Sequence, residues 1–170
     1  MRILERLLPL SLLPLLAACG AQRPAVQVSF LQPSAFRTNT ERFVTQASAT
    51  SQERDIATQL AQANVSQALV LQVDSAVYQA AWNAACALDS AQRQVFADSL
   101  RILFRQLTFK QNLASLYNEV RKFEGKYTCL SVMGLQRAEV LKALRPLVYS
   151  SPTLRSTYDS GRFERFFYGN

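Results

Sequence analysis

The chain contains 170 residues, of which 49% are hydrophobic and 18% charged, and its formal net charge is +7. This length fits one domain, or one domain with a tail, and the apolar fraction is too high for a disordered chain. Histidine is absent, which excludes Ser-His-Asp and Cys-His nucleophiles, HExxH zinc sites and histidine proton relays.

The N-terminus consists of a short charged head, an apolar run and a stretch of small residues. The apolar run is shorter than the roughly 20 residues that a membrane-spanning helix requires, and it has the proportions of a signal peptide. A buried N-terminal helix is the alternative, but Pro9 and Pro14 would each break it. The sequence therefore predicts a signal peptide over residues 1–18.

Residues 16–19 read Leu-Ala-Ala-Cys and resemble the lipobox of bacterial lipoproteins. The resemblance implies cleavage before Cys19 and lipid on its thiol, which makes the membrane one partner of the chain. Gly20 follows the cysteine in place of an aspartate. By the same resemblance, this favours the outer membrane, with the body of the protein facing the periplasm.

Residues 19–37 are predicted to form the lipidated cysteine and a flexible, extended tether. Gly20, Pro24 and Pro33 interrupt any regular period there. Such a tether could span roughly 50–60 Å, at about 3.3 Å per residue. The remaining residues, 38–170, are predicted to form one helical domain.

The helical prediction begins with two Thr-x-x-Glu spacings, at Thr38 and at Thr50, which are typical of capping boxes. A run rich in alanine and glutamine follows the second spacing and predicts a long helix over residues 51–88. Its predicted inward face includes Ile56, Leu60 and Val70, at steps of three and four residues.

Asp89 predicts the N-cap of the next helix. Helical spacing of apolar residues continues as far as Phe123, and Gly125 predicts the terminus. Residues 127–133 are a short β-like or loop segment, followed by a helix that contains Pro146. A last short segment begins at Pro152. The predicted fold is all-α, a small bundle of four or five helices.

Two cysteines remain beyond the proposed anchor, Cys86 and Cys129. Because the periplasm is oxidising, an even pair of cysteines there predicts a disulfide. Two buried thiols are the alternative.

Positive charge is concentrated in the C-terminal half of the chain. Residues 20–89 contain four basic and five acidic side chains, whereas residues 90–170 contain thirteen basic and six acidic ones. The asymmetry indicates a surface for an acidic partner, an anionic lipid or a glycan. The alternative is that these charges only keep the protein soluble. Nucleic acid is not an expected partner, because no binding motif for it occurs.

The C-terminal tail is rich in aromatic residues and arginine, which are enriched in interface hot spots. The candidate partner-binding residues are Arg162, Phe163, Arg165, Phe166, Phe167 and Tyr168. The alternative is that the aromatic side chains pack this tail onto the body of the protein while the arginines stay in solvent.

These observations predict a non-enzymatic binding or accessory subunit of an envelope assembly of the secretion, conjugation or pilus type. This rests on an analogy of size, anchor and fold class. One alternative is a binder of anionic lipid or cell-wall glycan. Another is a small carboxylate-dependent enzyme using Asp98, Glu119 or Glu124. No catalytic residue, metal ligand or cofactor is predicted.

Overall fold

A computed structural model describes Phe30 and residues 36–107 and 113–169. Within that part the fold combines five helices with a three-stranded antiparallel sheet, and strands make up 24% of it, so the predicted all-α helical bundle is wrong. The elements in chain order are β1 (Arg42–Ser51), α1 (Arg54–Ala84), α2 (Ser90–Gln106), β2 (Ala114–Phe123), β3 (Lys126–Gln136), α3 (Arg137–Ser150), α4 (Pro152–Thr157) and α5 (Ser160–Tyr168).

The predicted signal peptide, Cys19 and most of the predicted tether lie outside the described residues. The structure therefore adds no support to the predicted lipid anchor or to the predicted outer-membrane location. Within the described residues, no helix is both long enough and apolar enough to cross a membrane.

Strand β1 occupies a segment that was predicted to be helical. The hydroxyl of Thr38 accepts from the Val44 amide at 2.9 Å and donates to the Val44 carbonyl at 3.0 Å. The side-chain oxygen of Asn39 accepts from the amides of Glu41 and Arg42, both at 2.9 Å. These side chains thus cap the outer edge of a strand rather than the first turn of a helix.

Strands β2 and β3 form a hairpin where the sequence predicted the end of a helix and a short segment. The two turn residues, Glu124 and Gly125, have φ angles of 46° and 79°. Two successive positive φ angles are typical of the two-residue hairpin turn. A bulge between Ser115 and Tyr117 breaks the alternation of β2, which is why its apolar residues imitate helical spacing.

Strand β3 lies at the centre of the sheet, in the order β1-β3-β2. Helix α1 packs across one face of this sheet, where Ala57 and Ala61 contact Cys129 on β3. The small side chains allow the helix to approach the strands closely. The buried residues of α1 continue along the same side through Val65, Leu69 and other small or β-branched residues.

The inward face predicted for α1 was wrong in its N-terminal half. Ile56, Leu60 and Val70 are exposed, as is Leu71. Helix α1 carries two apolar stripes, a buried one of alanine, valine and Leu69 and an exposed one that contains Ile56, Leu60, Val70 and Leu71. Most of the buried alanine and valine residues were absent from the predicted face.

The described part of the chain contains no disulfide, so the predicted Cys86–Cys129 pair is wrong: both cysteines are free, Cys86 exposed and Cys129 buried. Cys129 packs near the N-terminus of α1, whereas Cys86 follows the C-terminus of that helix. At 1.5 Å per residue, the helix separates them by roughly 35 Å. A disulfide requires Cα atoms within about 7 Å.

Asp74 joins α1 to α2 through two arginines. Asp74 is 3% exposed, and its carboxylate accepts hydrogen bonds from Arg101 at 2.7 Å and from Arg105 at 3.1 Å. Burial alone raises the pKa of Asp74, but the hydrogen bonds and positive charges of the two arginines outweigh it, so this pKa lies below its usual value.

Replacing Asp74 with asparagine should destabilise the fold by about 1–3 kcal/mol, because Arg101 and Arg105 lose the carboxylate that accepts their hydrogen bonds and balances their charge. The lowered pKa means that Asp74 contributes its stability above the pKa of the unfolded chain and loses it as the pH falls. Denaturant unfolding should therefore show the largest difference between wild type and D74N near neutral pH, shrinking below about pH 4. A difference that stays constant down to pH 2 would contradict the role given to the ion pair.

Candidate functional site

The C-terminal tail forms helix α5 and divides its residues between the core and the surface. Asp159 caps the helix by accepting from the Arg162 amide at 2.9 Å. Phe163 and Phe167, one turn apart, are buried and stack at 5.7 Å between ring centroids. Phe43 of β1 meets Phe167 edge-to-face at 5.6 Å. The two phenylalanines thus anchor α5 to the body of the protein.

The other candidate residues of the tail lie at or near the surface. Phe166 is 40% exposed, and Arg162 and Arg165 are exposed beside it. We call these three residues the α5 outer edge. Tyr168 is partly buried and points to the neighbouring helix α3, where it lines a cavity. The six predicted residues therefore lie in three different places: two in the core, three on the surface and one at a cavity.

Arg137, the first residue of α3, holds α5 and β1 together. Its guanidinium lies 4.0 Å from the ring centroid of Phe43 and 5.6 Å from that of Phe167. It donates to the Asn39 carbonyl at 3.0 Å and to the Phe167 carbonyl. Burial lowers the pKa of Arg137 from its usual value, but arginine keeps its charge at physiological pH. Sequence reasoning missed this residue.

A cavity of about 420 Å³ lies between α3 and α5, and we call it the α3–α5 groove. Lys142, Arg145 and Tyr149 enter it from α3, and Tyr168 enters it from α5. The three α3 residues are spaced i, i+3 and i+7, so they share one face of the helix. This spacing was a signal in the sequence for a shared face of α3, but not for the groove, which also needs Tyr168 of α5. The remaining lining residues are Ala138, Leu141 and Pro146.

The groove combines cations with aromatic rings. Arg145 donates to the Glu164 carboxylate at 2.5 Å, and this hydrogen bond raises the pKa of Arg145. Lys142 is exposed and has no ion pair among the described residues. Behind Tyr149 lies Tyr158, whose hydroxyl is buried without a hydrogen-bond partner in the described part of the chain. Burial raises the pKa of Tyr158 to about 12. The arrangement can bind an anionic group between a lysine and the tyrosine rings.

The second face of the sheet, opposite α1, carries a polar cluster on β2. The Glu119 carboxylate accepts from the Tyr117 hydroxyl and, at 2.5 Å, from Arg121. The hydrogen bond to Glu119 raises the pKa of Tyr117. Two residues of the predicted tether contact this cluster: Phe30 lies 5.8 Å below the Arg121 guanidinium, and Phe36 packs on Tyr117 at 6.2 Å.

The carboxylates considered for an enzymatic role occupy separate places. Glu119 belongs to the β2 cluster, Glu124 lies in the exposed hairpin turn, and Asp98 accepts from Gln94 on α2 at 2.7 Å. Across the described ranges, no group of three or more His, Cys, Asp or Glu side chains could hold a metal ion.

Comparison of the chain with known proteins finds no matching family model, no similar curated protein and no similar solved structure.

Proposed function

We propose that the protein is a non-enzymatic binding protein of the bacterial envelope, serving as an accessory subunit of a secretion, conjugation or pilus type assembly. The observation that carries this proposal is the α5 outer edge, where Phe166 and two arginines are exposed to solvent. The helix that carries them is held to the body of the protein by the buried Phe163 and Phe167. An exposed aromatic ring flanked by arginines, on a rigid support, is the composition of an interface hot spot.

The anchor is the second part of the proposal. The lipobox-like residues 16–19 support lipidation of Cys19 on the periplasmic face of the outer membrane. Lipid at this position would concentrate the folded body near membrane-embedded partners. The binding role and the anchor can be tested separately.

Replacing Cys19 with serine should abolish incorporation of labelled palmitate and move the protein out of the outer-membrane fraction, because serine has no thiol to receive diacylglycerol. The matched control is Cys86→Ser, an exposed cysteine far along the chain, which should retain both label and fractionation. Equal labelling of wild type and C19S would contradict the anchor.

Pull-down from detergent-solubilised envelopes should recover a partner with the wild-type chain and lose it with Arg165→Glu. The control is Arg155→Glu on α4, which makes the same charge change at another exposed position. Recovery of the same proteins by wild type, R155E and R165E would argue against the α5 outer edge as the docking surface.

A second candidate function is the binding of anionic lipid or cell-wall glycan. The specific observation in its favour is the α3–α5 groove, where Lys142, which has no ion pair with any described residue, lies beside two tyrosines. Tyrosine rings offer flat surfaces to sugars, and the ammonium group can bind a phosphate or carboxylate.

For this second candidate, residues 20–170 should bind vesicles containing phosphatidylglycerol, or a soluble carboxylated cell-wall fragment, in a salt-sensitive way. Lys142→Glu should weaken binding by roughly fivefold to thirtyfold, because each cation near an anionic surface contributes about 1 kcal/mol. Lys126→Glu, in the distant hairpin, changes the net charge equally and should alter binding by less than about twofold. Comparable losses of binding in K142E and K126E would show that binding depends on net charge and not on the groove.

A further inference from the structure

Helix α1 leaves an uncovered apolar stripe on the side opposite the sheet. Leu71 is 58% exposed, Leu60 45%, Ile56 41% and Val70 37%. Together with the exposed Ala63 and Gln67 between them, these residues form what we call the α1 stripe. The steps from Ile56 through Leu60, Ala63 and Gln67 to Val70 are four, three, four and three. This is the spacing that packs one helix against another.

The remainder of the same side of α1 is already covered by a helix. Asp74, four residues beyond Val70, is buried against Arg101 and Arg105 of α2. One turn further, the Tyr78 hydroxyl donates to Gln94 of α2 at 3.0 Å. The α1 stripe is therefore the part of this helix-packing surface of α1 that α2 does not cover.

Charge is missing from this part of the molecule. Between Asp55 and Asp74 no residue carries a formal charge, although 18% of the chain is charged and its net charge is +7. Solvent-facing helices normally display charged side chains. A neutral surface on a cationic protein can meet its own copy without like-charge contacts, whereas the net positive C-terminal half would bring like charges together.

The stripe also matches itself when reversed. If two copies of α1 cross antiparallel at the middle of the stripe, Ile56 of one copy faces Leu71 of the other. Leu60 then faces Gln67, and the small Ala63 lies beside the two-fold axis, where it permits close approach. The Ile56–Leu71 pair therefore occurs twice, once at each end of the contact, with the Leu60–Gln67 pairs and the small Ala63 between them. A surface of this kind suits an isologous two-fold contact.

We propose that the α1 stripe binds a second copy of this chain, and that the protein forms an antiparallel, two-fold dimer through residues 56–71 of α1. The contact is about 22 Å long, at 1.5 Å per residue. It uses a surface different from the α5 outer edge and the α3–α5 groove, so both of these remain free in the dimer.

Cross-linking of the full-length chain in bacterial membranes tests the geometry. In a Cys86→Ser background, Ala63→Cys should give a dimer when a short bis-maleimide bridges the two new thiols beside the axis. Gln79→Cys, exposed on the same helix but off the stripe, should give no more dimer than C86S alone. Equal cross-linking at the two positions, or none at Ala63→Cys, would overturn the proposal.

Sedimentation of the purified full chain in excess detergent tests the energetics. Leu60→Glu places a charge in both halves of the contact and should raise the dimer dissociation constant by at least about tenfold. The matched variant Gln79→Glu should leave it within about twofold of wild type. Thermal unfolding verifies that L60E is folded, which is expected because Leu60 is already half-exposed. A wild-type chain that remains monomeric, or a dimer unaffected by L60E, would overturn the proposal.

Discussion

The close approach of α1 to the sheet is the constraint on which the rest of the fold depends. Ala57 and Ala61 contact Cys129 on the central strand, and small or β-branched residues extend this contact along the helix. Further along, Asp74 fixes α2 to α1, and α5 also packs on α1. A larger residue at Ala57 or Ala61 would lift the helix from β3 and disturb all of these contacts, because packed interiors have little room for added volume.

The extent to which sequence could predict this fold differs between elements for physical reasons. The long helix, the Asp89 cap and the start of a segment at Pro152 follow from local preferences, and all three are present. The strands were missed because their signals are not local. Thr38 and Asn39 can cap either a helix or a strand edge, and only the partner strand decides between these. The bulge in β2 hid its alternation, although Glu124-Gly125 between two segments rich in β-forming residues was a usable turn signal.

The candidate site was predicted in part. Sequence reasoning selected the aromatic and arginine-rich tail, but it did not separate the anchoring Phe163 and Phe167 from the exposed Phe166. That separation follows from helical geometry, since residues four apart share a face and Phe166 lies between them in sequence. The α3–α5 groove depends on two helices meeting, which no local pattern specifies. The disulfide prediction failed because it used compartment alone, without the length of helix that separates the two cysteines.

The described part of the tether sets how far the folded body can stand from a lipid anchor. Phe30 contacts Arg121 and Phe36 contacts Tyr117, so each of these two residues holds the chain at β2. With the proposed lipid on Cys19, the contact at Phe30 lies no farther from the anchor along the chain than about 36–40 Å, the reach of the intervening residues at full extension. This is shorter than the 50–60 Å that a free tether through residue 37 would allow.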